Sequence, residues 1–360
     1  MPVPAGRHAA RRDRLRAILP DEGAAGVLLV THLPNIRYLT GFSGSNAVLV
    51  LGTDPDQDLI GTDGRYVDQM AQEAPGLPVV VDRDTLATTL AQVPRQKLLV
   101  ESVLSIGNVR MIEATHGLPQ SVDGLVERLR AVKDADELAA LERACTITAT
   151  AFDRLSAEIR PGDTEVALAR RLEQLFGELG AEDRAFDSIV GGGPHSAIPH
   201  HQPGSRPLQR GDLLVIDAGA RVDGYHADMT RTFIVGSRAA EWQAEIHAVV
   251  REAQSAAAAA YLPGAGARAI DTIARRIVTD GGFGDRFTHG LGHGVGLEIH
   301  EAPNIGARAT GTIGPDMAIT VEPGVYLPGR GGVRIEDTLV VTGTGPRILT
   351  EGPRDLLTVG

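Results

Sequence analysis

The chain has 360 residues, 42% of them hydrophobic, with a formal net charge of -11 and one cysteine. That length exceeds the usual single-domain size and is ample for a buried core, while the negative balance argues against a nucleic-acid surface, which needs clustered Lys and Arg. Cys145 has no partner for an intrachain disulfide, no run approaches a membrane span, and no apolar stretch follows the first arginines, so the expectation is a cytoplasmic protein without nucleic-acid or membrane partners.

The first third alternates helix-like and strand-like pieces. Arg7 to Leu19 reads as an amphipathic helix whose arginines form a solvated face, Gly26 to Val30 and Ala47 to Leu51 as short buried strands, Tyr66 to Ala74 as a helix and Leu98 to Val100 as a further strand. This is an α/β pattern. Thr40 to Ser45 and Thr62 to Arg65 read as turns. From about Val122 to Arg160 comes a long charged, Ala- and Leu-rich helical region in which Cys145 reads as a core residue. Its most polar point, Lys133 to Glu137, marks the expected boundary between a first domain, 1–131, and a second, 132–360.

The second domain contains an internal repeat. Ile159-Arg160-Pro161-Gly162 precedes a helix with Leu168, Leu172 and Leu175, and Tyr261-Leu262-Pro263-Gly264, 102 residues later, precedes one with Ile270, Ile273 and Ile277. Between them, Leu213 to Val235 reads as two apolar strands about a turn at Arg221-Val222-Asp223-Gly224. Reversal at 222.5 places Asp217 opposite Asp228. Val215-Ile216-Asp217-Ala218-Gly219 resembles Thr320-Val321-Glu322-Pro323-Gly324, and Asp228-Met229-Thr230 resembles Glu336-Asp337-Thr338. Glu322 and Glu336 are symmetric about position 329, inside Pro328 to Gly332. Two acid-bearing hairpins related by a pseudo-twofold axis bring four carboxylates to one place.

Four buried carboxylates repel one another unless cations neutralise them, and four negative charges match two divalent ions. Oxygen ligands with one or two imidazoles favour manganese, with cobalt or zinc as alternatives. Imidazole is available in the glycine-rich stretch from His289 to Glu301, which lacks a Walker lysine and is not a His-Glu-x-x-His helix. Paired metals suit hydrolysis of a carbonyl or a phosphoryl centre. The ligands alone leave a phosphatase open, although the acidic chain offers no basic phosphate pocket.

Asp217-Ala218-Gly219, Ala227 to Thr232, Gly292-His293-Gly294-Val295-Gly296, Val321-Glu322-Pro323-Gly324 and Arg334-Ile335-Glu336-Asp337 together resemble the motifs of the creatinase/methionine aminopeptidase, or pita-bread, metallopeptidases, in their order. Asn35 to Gly44 and Thr62 to Tyr66 resemble the extra domain of the Xaa-Pro peptidase branch. The resemblance implies an α/β N-terminal domain and an α+β pita-bread catalytic domain in a homodimeric enzyme. It also implies metal ligands Asp217, Asp228, His293, Glu322 and Glu336, with Asp228 and Glu336 bridging and Glu322 acting as general base.

By the same resemblance His200 and His300 position the scissile carbonyl, His289 belongs to the substrate pocket, and Arg334 and Tyr326 support the ligands or line that pocket. His200 is preferred to His201 because it directly follows Pro199. The substrate implied is a peptide with proline in second place, whose scissile bond lacks an N–H. The Gly-Phe-Ser-Gly-Ser motif places aminopeptidase P first and Xaa-Pro dipeptidase, or prolidase, as the alternative; a prolidase needs a cation for the free proline carboxylate, for which Arg308 and Arg334 are the candidates. A non-catalytic binding module and a metal-free creatine-type amidinohydrolase are the remaining readings of the fold, and both sit badly with a complete ligand set.

Overall fold

In the computed structural model, which describes residues 6–19 and 26–360, the chain divides into two units, Met1–Arg130 and Ala131–Gly360. The first contains, in order, α1 (Gly6–Ile18), β1 (Val27–Val30), α2 (Leu33–Thr40), β2 (Ala47–Leu51), β3 (Leu59–Thr62), α3 (Val67–Glu73), β4 (Val79–Val81), α4 (Thr85–Leu90), β5 (Leu98–Glu101), α5 (Ile106–His116), β6 (Gln120–Val122) and α6 (Leu125–Ala131). Its six strands form one mixed sheet in the order β4-β3-β2-β1-β5-β6. β1 and β2 are buried along their whole length, as their unbroken apolar runs require. By contrast β4 exposes Val79 and Val81 at a sheet edge, and a three-residue edge strand carries no alternation to read.

One expectation needs correction here. The arginines of α1 do not form one solvated face: Arg14 is exposed, but Arg11 is 1% exposed and donates to the Tyr38 carbonyl, while Arg12 and Arg16 both pair with the buried Asp58. A carboxylate distant in sequence turned the charged side of the helix inward. The helical region from Val122 to Arg160 is divided in two, because β6 closes at Val122 and α6 ends before α7 (Ala135–Glu158) begins. Asp134 accepts from the Glu137 amide and Glu137 accepts from the Asp134 amide, a reciprocal cap that starts a new helix at the most polar point.

The second unit continues with α8 (Glu165–Glu178), β7 (Asp183–Arg184), β8 (Ile189–Gly192), β9 (Leu213–Ala218), β10 (Ala220–Val222), β11 (Tyr225–His226), β12 (Met229–Val235), α9 (Glu241–Ala259), α10 (Ala267–Asp280), β13 (Gly292–Gly294), β14 (Glu301–Ile305), β15 (Ala318–Val321), β16 (Gly324–Leu327), β17 (Gly331–Arg334), β18 (Asp337–Thr342), β19 (Gly345–Ile348) and β20 (Leu357–Val359). The repeat is realised in space. α7 and α8 pack with Leu214, Ile216 and Phe233 in one core, and α9 and α10 pack with Ile319, Val321, Ile335 and Leu339 in the other. The helices α8 and α10 begin at Glu165 and Ala267, keeping the 102-residue offset. No helix of the described residues is long and apolar enough to cross a membrane.

Alternation along the strands then decides where the acids point. On β9, Leu214, Ile216 and Ala218 face the α7/α8 core, so Asp217 projects from the opposite face. On β12, Met229, Phe233 and Val235 face that same core, which sends Asp228, Thr230 and Thr232 the other way. In the second half, Ile319, Val321, Ile335, Leu339 and Val341 enter the α9/α10 core and leave Thr320, Glu322, Glu336 and Thr338 facing the first half. Each half turns a polar face to the other because its apolar face is occupied by its own helices.

The register of the first hairpin differs from the expectation. Asp217 pairs with Thr230, and Val222 with Tyr225, so the turn centres on Asp223-Gly224 rather than one residue earlier. The physical reason is backbone sign: Asp223 and Gly224 have φ of 52° and 82°, the pair of left-handed residues that a tight hairpin turn needs. The pairing slides by two residues, an even number, so Asp228 keeps its face and lies diagonal to Asp217. The second hairpin keeps the expected symmetry, with Gly324 opposite Arg334 and Val321 opposite Asp337.

Candidate metal centre

The two halves are joined by hydrogen bonds between their polar faces. Glu336 and Thr230 form a bridge in which the Glu336 amide donates to the Thr230 carbonyl at 3.1 Å, Thr232 Oγ1 donates to the Arg334 carbonyl at 2.8 Å, and Thr338 Oγ1 donates to the Asp228 carbonyl at 2.8 Å. Thr230 Oγ1 also donates to Glu336 Oε2 at 2.7 Å. These threonines lie at alternate positions of their strands and zip one acid-bearing hairpin onto the other.

Asp217, Asp228, Glu322, Glu336 and His293 come together at this seam. Asp217, Asp228, His293 and Glu336 are all buried, and ligand atoms of Asp228, His293 and Glu336 lie within 4.8 Å of one another. His293 Nδ1 donates to the Gly294 carbonyl at 3.0 Å, which leaves its Nε2 lone pair facing Asp228 Oδ2 and Glu322 Oε1, each at 3.5 Å. Gly292 allows this approach, because a Cβ there would meet the Thr320 carbonyl oxygen at 2.1 Å.

The electrostatics are those of a cluster short of positive charge. Burial, followed by the neighbouring carboxylates, pushes Asp228 and Glu322 well above the usual carboxylate range, and Glu336 is pushed up to about 8 by burial and Asp217. Burial holds His293 down at about 4, so its imidazole is neutral. Arg334 is the cation in contact: it donates Nη2 to Asp217 Oδ2 at 2.6 Å, Nε to Thr230 Oγ1, and Nη1 to the Tyr326 hydroxyl and the Pro199 carbonyl. Asp217 Oδ1 and Asp228 Oδ1 are nevertheless buried without a hydrogen-bond partner among the described residues. Orphaned carboxylate oxygens and an imidazole lone pair aimed at carboxylates at non-hydrogen-bonding distance fit divalent cations.

A cavity of about 1290 Å³ opens onto these groups and is lined by His200, His289, His300 and Arg308. His300 lies edge-on to His293, with ring centroids 4.4 Å apart. His289 donates from Nδ1 to the Gly290 carbonyl and accepts at Nε2 from the Tyr326 hydroxyl at 2.8 Å; burial lowers it to about 4, and burial raises the Tyr326 phenol to about 12. His200 is exposed to the cavity, whereas His201 commits Nε2 to Glu165 at 2.9 Å. Arg308 is exposed and has no hydrogen bond or ion pair to another described residue. Arg334, by contrast, is spent on protein groups and is withdrawn from the carboxylate grip suggested for it.

Several supporting residues were not singled out from sequence. Thr230 lies within a motif that was noted, but its role needs the other hairpin. Asp337 accepts from Arg231, Gln254, Thr350 and Arg354 directly behind Glu336. Lys133 donates to Glu301 at 2.6 Å in the interior, beside His300. For Thr230 and Asp337 the signal is a polar residue in an apolar strand, and for Lys133 a charge at the polar boundary; neither names its partner.

Residues 139–343 match the model of metallopeptidase family M24, and residues 11–132 match that of the creatinase/prolidase N-terminal domain. The chain is 37% identical over 352 residues to an Xaa-Pro dipeptidase of Pyrococcus furiosus, covering 96% of this chain and 100% of the relative. Its structure is similar to that of an Xaa-Pro dipeptidase from Bacillus anthracis, with a TM-score of 0.93 at 34% identity over 98% of this chain and 100% of the other. An X-Pro aminopeptidase from Thermotoga maritima is also similar, with a TM-score of 0.88 at 33% identity over 97% and 99%.

Proposed function

The chain belongs to metallopeptidase family M24 and carries a creatinase/prolidase N-terminal domain, and we propose that it is an Xaa-Pro dipeptidase acting through two divalent cations, manganese first. Asp217, Asp228, His293, Glu322 and Glu336 would hold them, and the observation that carries this is the His293 Nε2 lone pair facing two carboxylates beside the orphaned oxygens of Asp217 and Asp228. Cations held there supply Lewis-acid polarisation of the scissile carbonyl and a nucleophile from water at neutral pH.

The chain's own groups supply the rest. Glu322, at the edge of the cavity, takes the proton released by the attacking water and returns it to the proline nitrogen, which leaves as a secondary amine. His200 and His300 line the cavity with imidazoles able to donate to the carbonyl oxygen as it gains charge. Tyr326, fixed between Arg334 and His289, holds His289 in the tautomer that donates to Gly290. Arg308, exposed and without an ion-pair partner among the described residues, is proposed to bind the carboxylate of a dipeptide's proline.

The preference for dipeptides departs from the order expected from sequence, which placed aminopeptidase P first. Its support is the Pyrococcus furiosus and Bacillus anthracis relatives, matched over nearly their whole length, together with Arg308. The similarity to the Thermotoga maritima aminopeptidase keeps longer Xaa-Pro peptides as the second reading. Cytoplasmic residence, supported by a lone buried cysteine, and a homodimer, supported by the family resemblance, belong to the same proposal. The test compares Ala-Pro with Ala-Pro-Ala under manganese for wild type and Arg308→Ala. A dipeptidase loses about 10–100-fold in kcat/KM on Ala-Pro and little on Ala-Pro-Ala; equal losses on both reject the role of Arg308, and a wild type that prefers Ala-Pro-Ala rejects the dipeptidase reading.

A further inference from the structure

Beside the cavity, which His201 also lines, a second constellation of titratable side chains serves no step described so far. Glu165, the first residue of α8, is fully buried, and its carboxylate accepts four hydrogen bonds. Oε1 takes the Gly192 amide at 2.9 Å and His195 Nδ1 at 2.8 Å; Oε2 takes His201 Nε2 at 2.9 Å and the Gly204 amide at 3.1 Å. The two imidazoles lie side by side, with ring centroids 4.3 Å apart. All four donors belong to the segment from Gly192 to Gly204, which leaves β8 and carries His200 at its middle.

The ligand atoms of Glu165, His195 and His201 are close enough to hold a metal ion, but the bonding argues otherwise. Every acceptor position of the Glu165 carboxylate is taken by an N–H, whereas the cation-seeking carboxylates Asp217 and Asp228 each leave an oxygen without a partner. Burial pushes Glu165 up, and its hydrogen bonds outweigh that and hold it below its ordinary value, so it is ionised without a metal.

The same segment is tied down on its far side. Ser196 Oγ accepts from the Gly332 amide at 2.8 Å, and the Pro199 carbonyl accepts from Arg334 Nη1 at 3.3 Å. Neighbouring His200 and His201 both line the cavity but differ in their bonding: His201 is held by Glu165 through Nε2, and His200 is exposed. We propose that Glu165 is a positioning residue for peptide hydrolysis, a four-bond clamp on residues 192–204 whose function is to hold the His200 imidazole in the cavity. This rests on the role given to His200 in the proposed function, and the inference would extend the working site to His195 and His201.

The test uses Glu165→Gln, which keeps one acceptor oxygen and replaces the other by a donor. Hydrogen–deuterium exchange needs no turnover and should rise about tenfold or more in peptides spanning 192–206 while the remainder of the chain is unchanged. In kinetics with Ala-Pro, kcat should fall about 10–100-fold with KM and metal content as in wild type. In a His200→Ala background the same substitution should cost less than about twofold, because its effect passes through His200. His201→Gln, whose amide replaces the Nε2 donor, should retain activity that His201→Leu loses. Unchanged exchange over 192–206, or full multiplicative losses in the double variant, overturns the clamp. A wild type inactive on every Xaa-Pro peptide removes the proposed function instead, and exchange then decides the clamp by itself.

Discussion

Stripping the cations should make stability fall as pH rises above neutrality, and the structure sets the size of the effect. Without cations, Asp228, Glu322 and Glu336 have folded pKa values raised above their unfolded ones, Glu336 from 4.5 to about 8, with burial first among the causes. A carboxyl raised in this way binds more protons folded than unfolded, so its contribution is fully present below about pH 4 and is lost as pH climbs through the folded value. Buried histidines act oppositely: His293, lowered from 6.5 to about 4, raises stability as pH climbs between those values. The informative window therefore opens at pH 6.5. From there to about pH 8, the interval left to Glu336 corresponds to roughly 2 kcal/mol at about 1.36 kcal/mol per pH unit, counted once for the coupled acids.

Thermal unfolding of chelated and manganese-loaded protein at pH 6.5 and 8.5 measures this directly, and histidines remote from the site cancel in the comparison. The gap in Tm should widen by roughly 4–8 °C at the higher pH, taking about 2–4 °C per kcal/mol for a unit of this size. A gap that stays constant or narrows with pH would refute the claim that cations replace protons on these carboxylates.

Three substitutions probe other parts of the argument. Glu322→Gln should lower kcat by about 10²–10⁴-fold with the circular dichroism spectrum unchanged; retained turnover would reject it as the base. Arg334→Met leaves Asp217 buried beside three further acids and should destabilise the protein by roughly 3–5 kcal/mol in chemical denaturation, whereas a loss below about 1 kcal/mol would mean the pair is solvated. In Gly219→Ala, the new Cβ would sit 1.7 Å from the Ala227 carbonyl oxygen, so the first hairpin must distort. That change should cost roughly 1–3 kcal/mol, and an unaltered Tm would contradict the pairing of β9 with β12.

How much of this was legible depended on the range of the interaction involved. The repeat was, because a glycine-ended helix boundary and an apolar spacing are local and recur at Gly162 and Gly264, both at left-handed φ. So was the symmetry of Glu322 and Glu336, set by a glycine-rich turn midway between them. The first hairpin lies two residues from the expected register because its turn centre is set by the residues at positive φ, Asp223 and Gly224, and not by the midpoint of Arg221 to Gly224. The parity of the strand survived the error, so the acids were still brought to one face.

By itself, then, the amino-acid order determined the periodicities: two halves, their apolar faces and the faces on which Asp217, Asp228, Glu322 and Glu336 lie. Only the tertiary structure decided the partners. It turned Arg11 inward to Tyr38, spent Arg334 on Asp217, sent His201 to Glu165 and left His200 facing the cavity. The physical reason is that a strand or helix period is a property of neighbours along the chain, whereas a hydrogen bond between Glu165 and His201, or between Thr230 and Glu336, depends on what another segment brings within about 3 Å.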